Sequence, residues 1–197
     1  LGLYLAEGCT LNSLHKVHFS FNSNENELIK YTSYLAQNIF GIKPKINKAH
    51  TSAINVTISS KTVGFIFKHV FDLGTSATTK KLSSKILNLG KELRNKVLLG
   101  YLAGDGHPTH KIFDAIIKDR KIRDIEHEKL TATTVSYELC VGLQYLLNSL
   151  GLGYSVGRRE SKDGVINGVK TTFKESYYDY IYTKQCSCSF NKLPIKD

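Results

Sequence analysis

One apolar segment of eight residues occurs twice in this chain, and this duplication limits the fold more than any other feature. The copies are Leu-Gly-Leu-Tyr-Leu-Ala-Glu-Gly at residues 1–8 and Leu-Gly-Tyr-Leu-Ala-Gly-Asp-Gly at residues 99–106. Small residues recur four positions apart in each copy, at Gly2 and Ala6 and at Gly100 and Gly104. At that spacing they share one helix face, where no long side chain keeps a second backbone away. The duplication therefore predicts two helices packed against each other in a chain of two related halves.

The same order of predicted elements follows each copy. A helix with an apolar stripe is expected over roughly residues 25–40, ended by Gly41, and a second over roughly residues 137–150, ended by Gly151. Alternating apolar and polar side chains predict strands at residues 17–22, 54–59, 129–134, 154–159 and 171–183, with a turn-rich hairpin tip at 162–168.

Each half thus follows the order helix, two strands, helix, two strands, and every strand has one apolar and one polar or basic face. This pattern predicts an α+β fold in which two antiparallel sheets, each with one wet face, form a long polar saddle. We expect the halves to occupy residues 1–95 and 96–197.

The chain carries 27 Lys and Arg against 17 Asp and Glu, a net charge of +10. That surplus favours a polyanionic partner, either nucleic acid or an anionic surface, and the alternative is a merely basic soluble protein. The composition, 41% hydrophobic and 22% charged, excludes a disordered chain. No window approaches 18 uninterrupted apolar residues, so we expect no membrane span.

Four cysteines (Cys9, Cys140, Cys186 and Cys188) are too few for a disulfide framework in a chain of this length. We expect all four to be reduced thiols in an intracellular protein. The chain contains no Met, and no basic segment precedes the first apolar stretch, so we expect a segment of a longer polypeptide without a signal peptide.

An acid ends each motif copy, Glu7 in the first and Asp105 in the second. If the two helices pack on each other, these carboxylates meet at helix C-termini, where the helix dipole adds negative potential. Two like charges there are unfavourable unless a cation neutralises them, and hard oxygen ligands with open positions favour Mg²⁺. The alternative is that both acids are ordinary polar residues before glycine caps.

The two motif copies, each followed by strands and a helix ended by glycine, resemble those of the LAGLIDADG homing endonucleases. The resemblance covers nearly the whole chain, because the repeat follows the αββαββα unit of that family. Two motifs in one chain resemble the pseudo-dimeric branch, which is often derived from inteins or introns. The resemblance implies a site-specific, metal-dependent endonuclease that acts as a monomer with internal pseudo-twofold symmetry. Such an enzyme cuts double-stranded DNA at a long asymmetric site and leaves short 3′ overhangs.

The resemblance also implies roles for particular residues. Glu7 and Asp105 match the acids that bind the divalent metal, expected here to be Mg²⁺. Lys80, within residues 75–82, matches a basic catalytic residue of members carried by inteins. In the second half Asn191 falls at the matching position, with Lys192 beside it. Asn22 and Thr134 match polar residues that organise water at strand ends.

DNA contacts are expected from alternate polar residues of the strands, with each sheet in a major groove. The candidates are His18, Ser20, Lys43, Lys45, Asn47, Asn55 and Thr57 in the first half, and Lys129, Thr131, Thr133, Arg158, Lys170, Thr172 and Lys174 in the second. Two alternatives remain open: an RNA-splicing maturase of the same family, and a DNA-binding regulator with a decayed nuclease fold.

Overall fold

The computed structural model describes residues 1–11, 13–50, 52–107, 130–159, 164–166, 169–171 and 175–182. The first motif copy forms a short helix and leads directly into a strand. The elements up to residue 59 are α1 (Gly2–Glu7), β1 (Gly8–Thr10), β2 (Lys16–Asn22), α2 (Asn26–Phe40), β3 (Lys45–His50) and β4 (Ala53–Ser59).

A helical connection then leads to the second motif copy. It comprises α3 (Lys61–Phe65), a π-helical turn (Ile66–Val70) and α4 (Ser84–Leu87). The second copy ends α5 (Lys91–Asp105), a much longer helix than α1. The remaining elements are β5 (Gly106–His107), β6 (Leu130–Thr134), α6 (Tyr137–Leu150), β7 (Gly153–Arg159), β8 (Gly164–Ile166), β9 (Val169–Thr171) and β10 (Ser176–Tyr182).

The strands form two antiparallel sheets of four strands with corresponding order. The first sheet has the order β1-β2-β4-β3 and the second β5-β6-β10-β7, while β8 and β9 form a separate hairpin. The predicted α+β class with antiparallel sheets is therefore confirmed.

The motif helices pack with their backbones in contact. A Cβ atom placed on Gly2 would lie 2.1 Å from the backbone oxygen of Val97 and 2.6 Å from the nitrogen of Tyr101. A Cβ on Gly100 would lie 3.1 Å from the nitrogen of Leu3. The close approach predicted from the small residues is present, and it depends on the missing side chains at these two glycines.

The core surrounds these helices. Tyr4, Leu5, Leu98 and Leu102 are almost completely buried, and the inward faces of both sheets and of α6 pack around them. Both predicted helix ends are found, because α2 ends before Gly41 and α6 before Gly151. Each of these glycines adopts a left-handed conformation, with φ of 66° and 75°, which favours a residue without a Cβ atom.

Two predicted strand boundaries differ from the structure. The hairpin tip expected at residues 162–168 contains strand β8, which pairs with β9. The strand expected at residues 171–183 is instead divided, because residue 171 ends β9 and β10 begins at Ser176. Turn-forming residue types misled the first prediction, since Val165 and Ile166 pair with Lys170 and Val169 on the adjacent strand.

The boundary predicted between residues 95 and 96 falls within α5, which begins at Lys91. The division into two halves itself stays a prediction. Among the described residues, no helix has the length and apolar character that crossing a membrane requires.

Candidate functional site

The acids of the two motif copies meet where α1 and α5 end. Glu7 is the last residue of α1 and Asp105 the last of α5, and each is followed by a glycine that begins a strand. A Cβ atom on Gly104 would lie 3.0 Å from Cγ and 3.2 Å from Oε1 of Glu7. The Glu7 carboxylate thus lies against the residue that precedes Asp105.

The surroundings of this acid pair disfavour two negative charges. Burial, the charge of Asp105 and the charge of Glu25 together raise the pKa of Glu7 to about 7, against the lowering effect of the Lys80 charge. Burial also raises the pKa of Asp105 to about 6, against the lowering effects of Lys80 and of the Tyr101 phenol. A bound cation would favour the doubly ionised form, because it supplies the positive charge that the pair lacks.

Lys80 places a positive charge beside the acid pair. Its side chain is only 7% exposed, and its Nζ donates a hydrogen bond to the backbone carbonyl of Ala6. Burial lowers the pKa of Lys80, whereas the charges of Asp105, Glu7 and Cys9 raise it. The structure therefore brings together three of the predicted site residues: the two acids and this lysine.

The segment that carries this lysine, residues 74–81, is here called the lysine loop. Gly74 has φ of +77°, and a Cβ atom on it would come within 1.9 Å of the Thr79 carbonyl, so the loop closes only with glycine at this position. The Tyr4 hydroxyl donates to the Gly74 carbonyl at 2.8 Å, and the backbone nitrogen of Thr10 donates to the Thr75 carbonyl at 3.1 Å. Both bonds attach the start of the loop to the first motif helix and its strand.

Asn22 and Thr134 both act as local caps at strand ends. Oδ1 of Asn22 accepts from the Asn24 nitrogen at 3.0 Å, and Oγ1 of Thr134 accepts from the Ser136 nitrogen at 3.1 Å. Asn22 is exposed, whereas Thr134 is buried. Their predicted role in organising water stays a prediction.

The candidate DNA contacts of strands β2 to β4 lie on one face of the first sheet. In the register of this sheet, His18 pairs with Thr57 and Thr57 with Lys45, while Ser20 pairs with Asn55 and Asn55 with Asn47. Directly paired residues point to the same side, so these six side chains share a face. Lys43 is exposed just before β3.

Hydrogen bonds join neighbours on this face. Nδ1 of His18 lies 2.9 Å from Oγ1 of Thr57, and Oγ of Ser20 donates to Oδ1 of Asn55 at 2.9 Å. Thr57 is only 6% exposed, so it supports His18 instead of presenting an open hydroxyl.

One candidate of the second sheet lies on the opposite face from its predicted companions. Thr131 and Thr133 pair with Tyr180 and Tyr178, whereas Arg158 pairs with Tyr177 and lies on the face of buried Asp179. Arg158 therefore does not share a face with the two threonines, and its expected DNA contact stays a prediction. Arg158 forms an ion pair with Glu175 instead, and the next residue along the strand, Arg159, lies on the threonine face.

Other candidates lie outside what the structure describes. The described residues do not include Lys129, Thr172, Lys174, Asn191 and Lys192, and for Lys170 only its backbone position in β9 is given.

Sequence reasoning missed two buried polar residues near the site. Ser136 begins α6 and donates a hydrogen bond to the Lys80 carbonyl. Asp179 is 1% exposed within β10, where Cys140 Sγ donates to its Oδ1 at 3.7 Å, and burial raises its pKa to about 7. An acid on the apolar side of an alternating strand was the available signal for Asp179, whereas the local pattern at Ser136 indicates only a helix N-cap and not its bond to Lys80.

A divalent cation at the acid pair would have two carboxylates from this chain. No cluster of three or more His, Cys, Asp or Glu side chains suited to a metal occurs within the described ranges. Two half-buried carboxylates with raised pKa values fit a hard cation that takes its other ligands from water or a phosphate. They do not fit a closed structural site for zinc, which takes four ligands.

The crossing motif helices and the two four-stranded antiparallel sheets define the fold of a homing endonuclease. The structure of I-DmoI in complex with DNA and Mn superposes with a TM-score of 0.58 at 15% sequence identity, over 93% of this chain and 86% of that one. I-DmoI in complex with DNA and Ca also gives a TM-score of 0.58 at 15% identity, over 98% of this chain and 90% of that one.

Sequence comparison gives weaker matches. No family model matches the chain. The ATP-dependent DNA helicase Hel308 of Thermococcus kodakarensis is 27% identical over 193 residues, which cover 92% of this chain and 16% of the helicase. The uncharacterized protein MJ1054 of Methanocaldococcus jannaschii is 26% identical over 163 residues, 79% of this chain and 17% of that protein. The chain thus spans about a sixth of the length of these relatives.

Proposed function

We propose that this chain is a site-specific, metal-dependent double-strand DNA endonuclease of the LAGLIDADG homing class. The observation that carries the proposal is the meeting of Glu7 and Asp105 at the ends of two crossing helices, with the buried Lys80 ammonium beside them. An acid pair whose ionisation is opposed by burial lowers the stability of the folded protein. Perturbed pKa values of this kind are typical of functional sites, and a metal site explains why the pair is present. The fold of I-DmoI, a homing endonuclease whose structures contain DNA and Mn or Ca, supports the same function.

In this proposal Glu7 and Asp105 hold Mg²⁺, one acid from each motif helix. When bound, the cation supplies Lewis acidity toward the scissile phosphate. Lys80 offsets the negative charge that grows on that phosphate as the bond breaks. The first acid is Glu, so its longer side chain would hold the cation differently from Asp105, and the two strands would be cut at unequal rates.

DNA would be bound as a duplex, with the polar face of each sheet in a major groove. The net charge of +10 supports a polyanionic partner. His18, Ser20, Asn55 and Asn47 offer donors and acceptors on one sheet face, and each good pair with a base edge discriminates by about 1–3 kcal/mol. Many such contacts over a long asymmetric site would make cleavage rare.

Three finer points belong to the same proposal. The enzyme would act as a monomer with internal pseudo-twofold symmetry, and its staggered cuts would leave short 3′ overhangs. It would be carried by an intein or intron. Its match to about a sixth of a DNA helicase and of a second long protein supports a mobile insert within larger proteins.

A plasmid cleavage assay tests this function. The substrate is a supercoiled plasmid that carries the host gene rejoined across the insertion point, and a plasmid with that site scrambled is the control. With Mg²⁺ the wild-type protein should linearise only the first plasmid, and sequencing of the ends gives the overhang. Asp105→Asn should abolish cleavage and leave binding largely intact. If Asp105→Asn cuts both strands at the wild-type rate, the metal assignment is wrong.

The maturase alternative has its own outcome. A maturase would leave the plasmid intact and bind the intron RNA in a gel-shift assay. A decayed regulator would bind the DNA site without cutting it, and its binding would not depend on either acid.

A further inference from the structure

One buried hydroxyl joins the lysine loop to the helix that follows the second motif. Ser136, the N-cap residue of α6, donates from Oγ to the backbone carbonyl of Lys80 at 2.6 Å. The same Oγ accepts from the backbone nitrogen of Leu139 at 3.2 Å, and Ser136 is only 2% exposed. A serine hydroxyl has one hydrogen and two lone pairs, so it makes both bonds at once.

Further contacts hold both partners of this bond. The backbone nitrogen of Ser136 donates to Thr134 Oγ1 at 3.1 Å, which fixes the serine to the end of β6. Just after the loop, Leu82 packs against Gly142 of α6, where an added Cβ would come within 2.7 Å of the Leu82 Cβ. The end of the lysine loop is therefore attached to β6 and α6, whereas its start is attached to α1 and β1.

We propose that Ser136 is a positioning residue for Lys80, whose backbone it fixes so that the ammonium reaches the acid pair. A lysine side chain is long and flexible, so the place of its charge depends on where its backbone is held. The proposal rests on the proposed function, in which Lys80 acts at the scissile phosphate. It adds that a residue beyond the second motif orients the lysine that precedes that motif.

The opposing explanation is that Ser136 only caps α6. Substitution by glycine separates the two roles, because Gly is tolerated at an N-cap almost as well as Ser but has no hydroxyl to donate. Ser136→Thr keeps both the cap and the donor. Ser60 provides a matched control, since its Oγ accepts from the Val63 nitrogen at 3.3 Å and caps α3 in the same way.

Single-turnover cleavage of the plasmid site is the first measurement. We expect Ser136→Gly to lower the rate about 10- to 100-fold, because a displacement of about 1 Å at a reacting group costs about that much. DNA affinity in Ca²⁺ should not change, Ser136→Thr should cut at nearly the wild-type rate, and Ser60→Gly should cut as wild type does. In a Lys80→Met background, Ser136→Gly should cause no further loss. A further loss there, or an equal loss in Ser60→Gly, would overturn the proposal.

The second measurement does not depend on cleavage. A buried, hydrogen-bonded ammonium exchanges its protons slowly, so Lys80 should give a ¹⁵Nζ signal in NMR that is absent from Lys80→Met. We expect the signal to be lost in Ser136→Gly and kept in Ser60→Gly. An unchanged signal in Ser136→Gly, or none in the wild type, overturns the positioning role even if the wild type cuts DNA. A signal that depends on Ser136 in a protein that cuts nothing supports the positioning contact and contradicts the proposed function.

Discussion

Lys80 donates a hydrogen bond from Nζ to the backbone carbonyl of Ala6, the residue immediately before Glu7. The bond joins the lysine loop to the last turn of α1, where carbonyl groups otherwise lack helical partners. The ammonium charge thereby lies close enough to Glu7 and Asp105 to oppose the rise in both pKa values. The single positive charge of Lys80 thus compensates only part of the negative charge of Glu7 and Asp105.

We expect Lys80→Met to abolish most cleavage and to leave DNA binding intact. The methionine fills a similar volume without the charge, and removing one group that stabilises a transition-state charge costs about 10²–10³ in rate. Single-turnover cleavage in Mg²⁺ and gel-shift affinity in Ca²⁺ measure the two effects.

The adjacent lysine is the control for this prediction. Lys81 pairs with Asp72 at 2.8 Å, with side chains 36% and 50% exposed, and such surface pairs contribute little. Lys81→Met should therefore cut nearly as wild type does. Equal rates for Lys80→Met and wild type would remove Lys80 from the mechanism.

We expect Glu7→Gln and Asp105→Asn to stabilise the protein in the absence of metal. Both acids have folded-state pKa values raised above their ordinary range, to about 7 and about 6. A raised carboxyl pKa means that stability falls as pH rises from about 4 to the folded value and stays low above it. At pH 8 in a chelator, each amide should raise the free energy of unfolding by about 2 kcal/mol.

Mg²⁺ should make the wild type more stable than the two amide variants. A cation that binds the folded acid pair stabilises the wild type by mass action, and the amides remove its ligands. Thermal unfolding at pH 8 should show a rise in Tm with Mg²⁺ for the wild type and none for a variant that carries both Glu7→Gln and Asp105→Asn. An equal rise in both proteins would mean that Mg²⁺ binds elsewhere.

We expect Gly2→Ala to destabilise the protein by about 3 kcal/mol, because the new methyl group meets backbone on α5 that cannot rotate away. Gly90→Ala is the control, since a Cβ there meets nothing within 4 Å, and it should cost at most about 1 kcal/mol. Urea unfolding compares the two variants. Similar losses for both would contradict the close contact of α1 and α5.

Gly104→Ala should affect function more than stability. Its new Cβ would lie 2.5 Å from the Ala6 Cβ and 3.0 Å from the Glu7 Cγ, so the neighbours that must shift include a flexible side chain. The shift displaces the Glu7 carboxylate. We expect cleavage to fall about 10-fold or more at saturating DNA, while the Tm falls less than in Gly2→Ala. A large loss of Tm with normal cleavage of the folded fraction would contradict this.

Local patterns were sufficient for α2, for α6 and for the meeting of the acids, but not for α4 or the start of α5 at Lys91. The bounds of α6 were predicted as found, because an apolar stripe and Gly151 mark its length and its end. The contact of α1 and α5 followed from small residues four apart, and that contact alone brings Glu7 and Asp105 together.

The rest depended on relationships between distant segments. Alternation within β7 shows which of its residues share a face, but only its register with β10 shows that Arg159 and not Arg158 lies on the face of Tyr178 and Thr133. The bond from Ser136 to Lys80 joins residues 56 positions apart and leaves no local trace. Thr57 is buried and lies 2.9 Å from His18 on the neighbouring strand, and alternation reveals neither fact.

The buried acid Asp179 should make the stability of the protein depend on pH. In the register of the second sheet it lies in one row with Gly106 and Ala132, and the corresponding row of the first sheet, Gly8 and Phe19, continues to Val56. The chain thus places an acid in the core where the other sheet has valine. Burial raises the pKa of Asp179 to about 7, against the lowering effect of a hydrogen bond from the Cys140 thiol.

We therefore expect Asp179→Asn and Asp179→Val to gain stability over the wild type as pH rises. The wild type loses free energy of unfolding between about pH 4 and 7, on the order of 3 kcal/mol, because the unfolded chain releases the proton first. The contributions of Glu7 and Asp105 have the same sign but cancel in the difference between variant and wild type. Urea unfolding from pH 4 to 8 in a chelator should show a difference that grows up to about pH 7 and is constant above it. A difference that does not vary with pH would mean that Asp179 keeps its ordinary ionisation in the core.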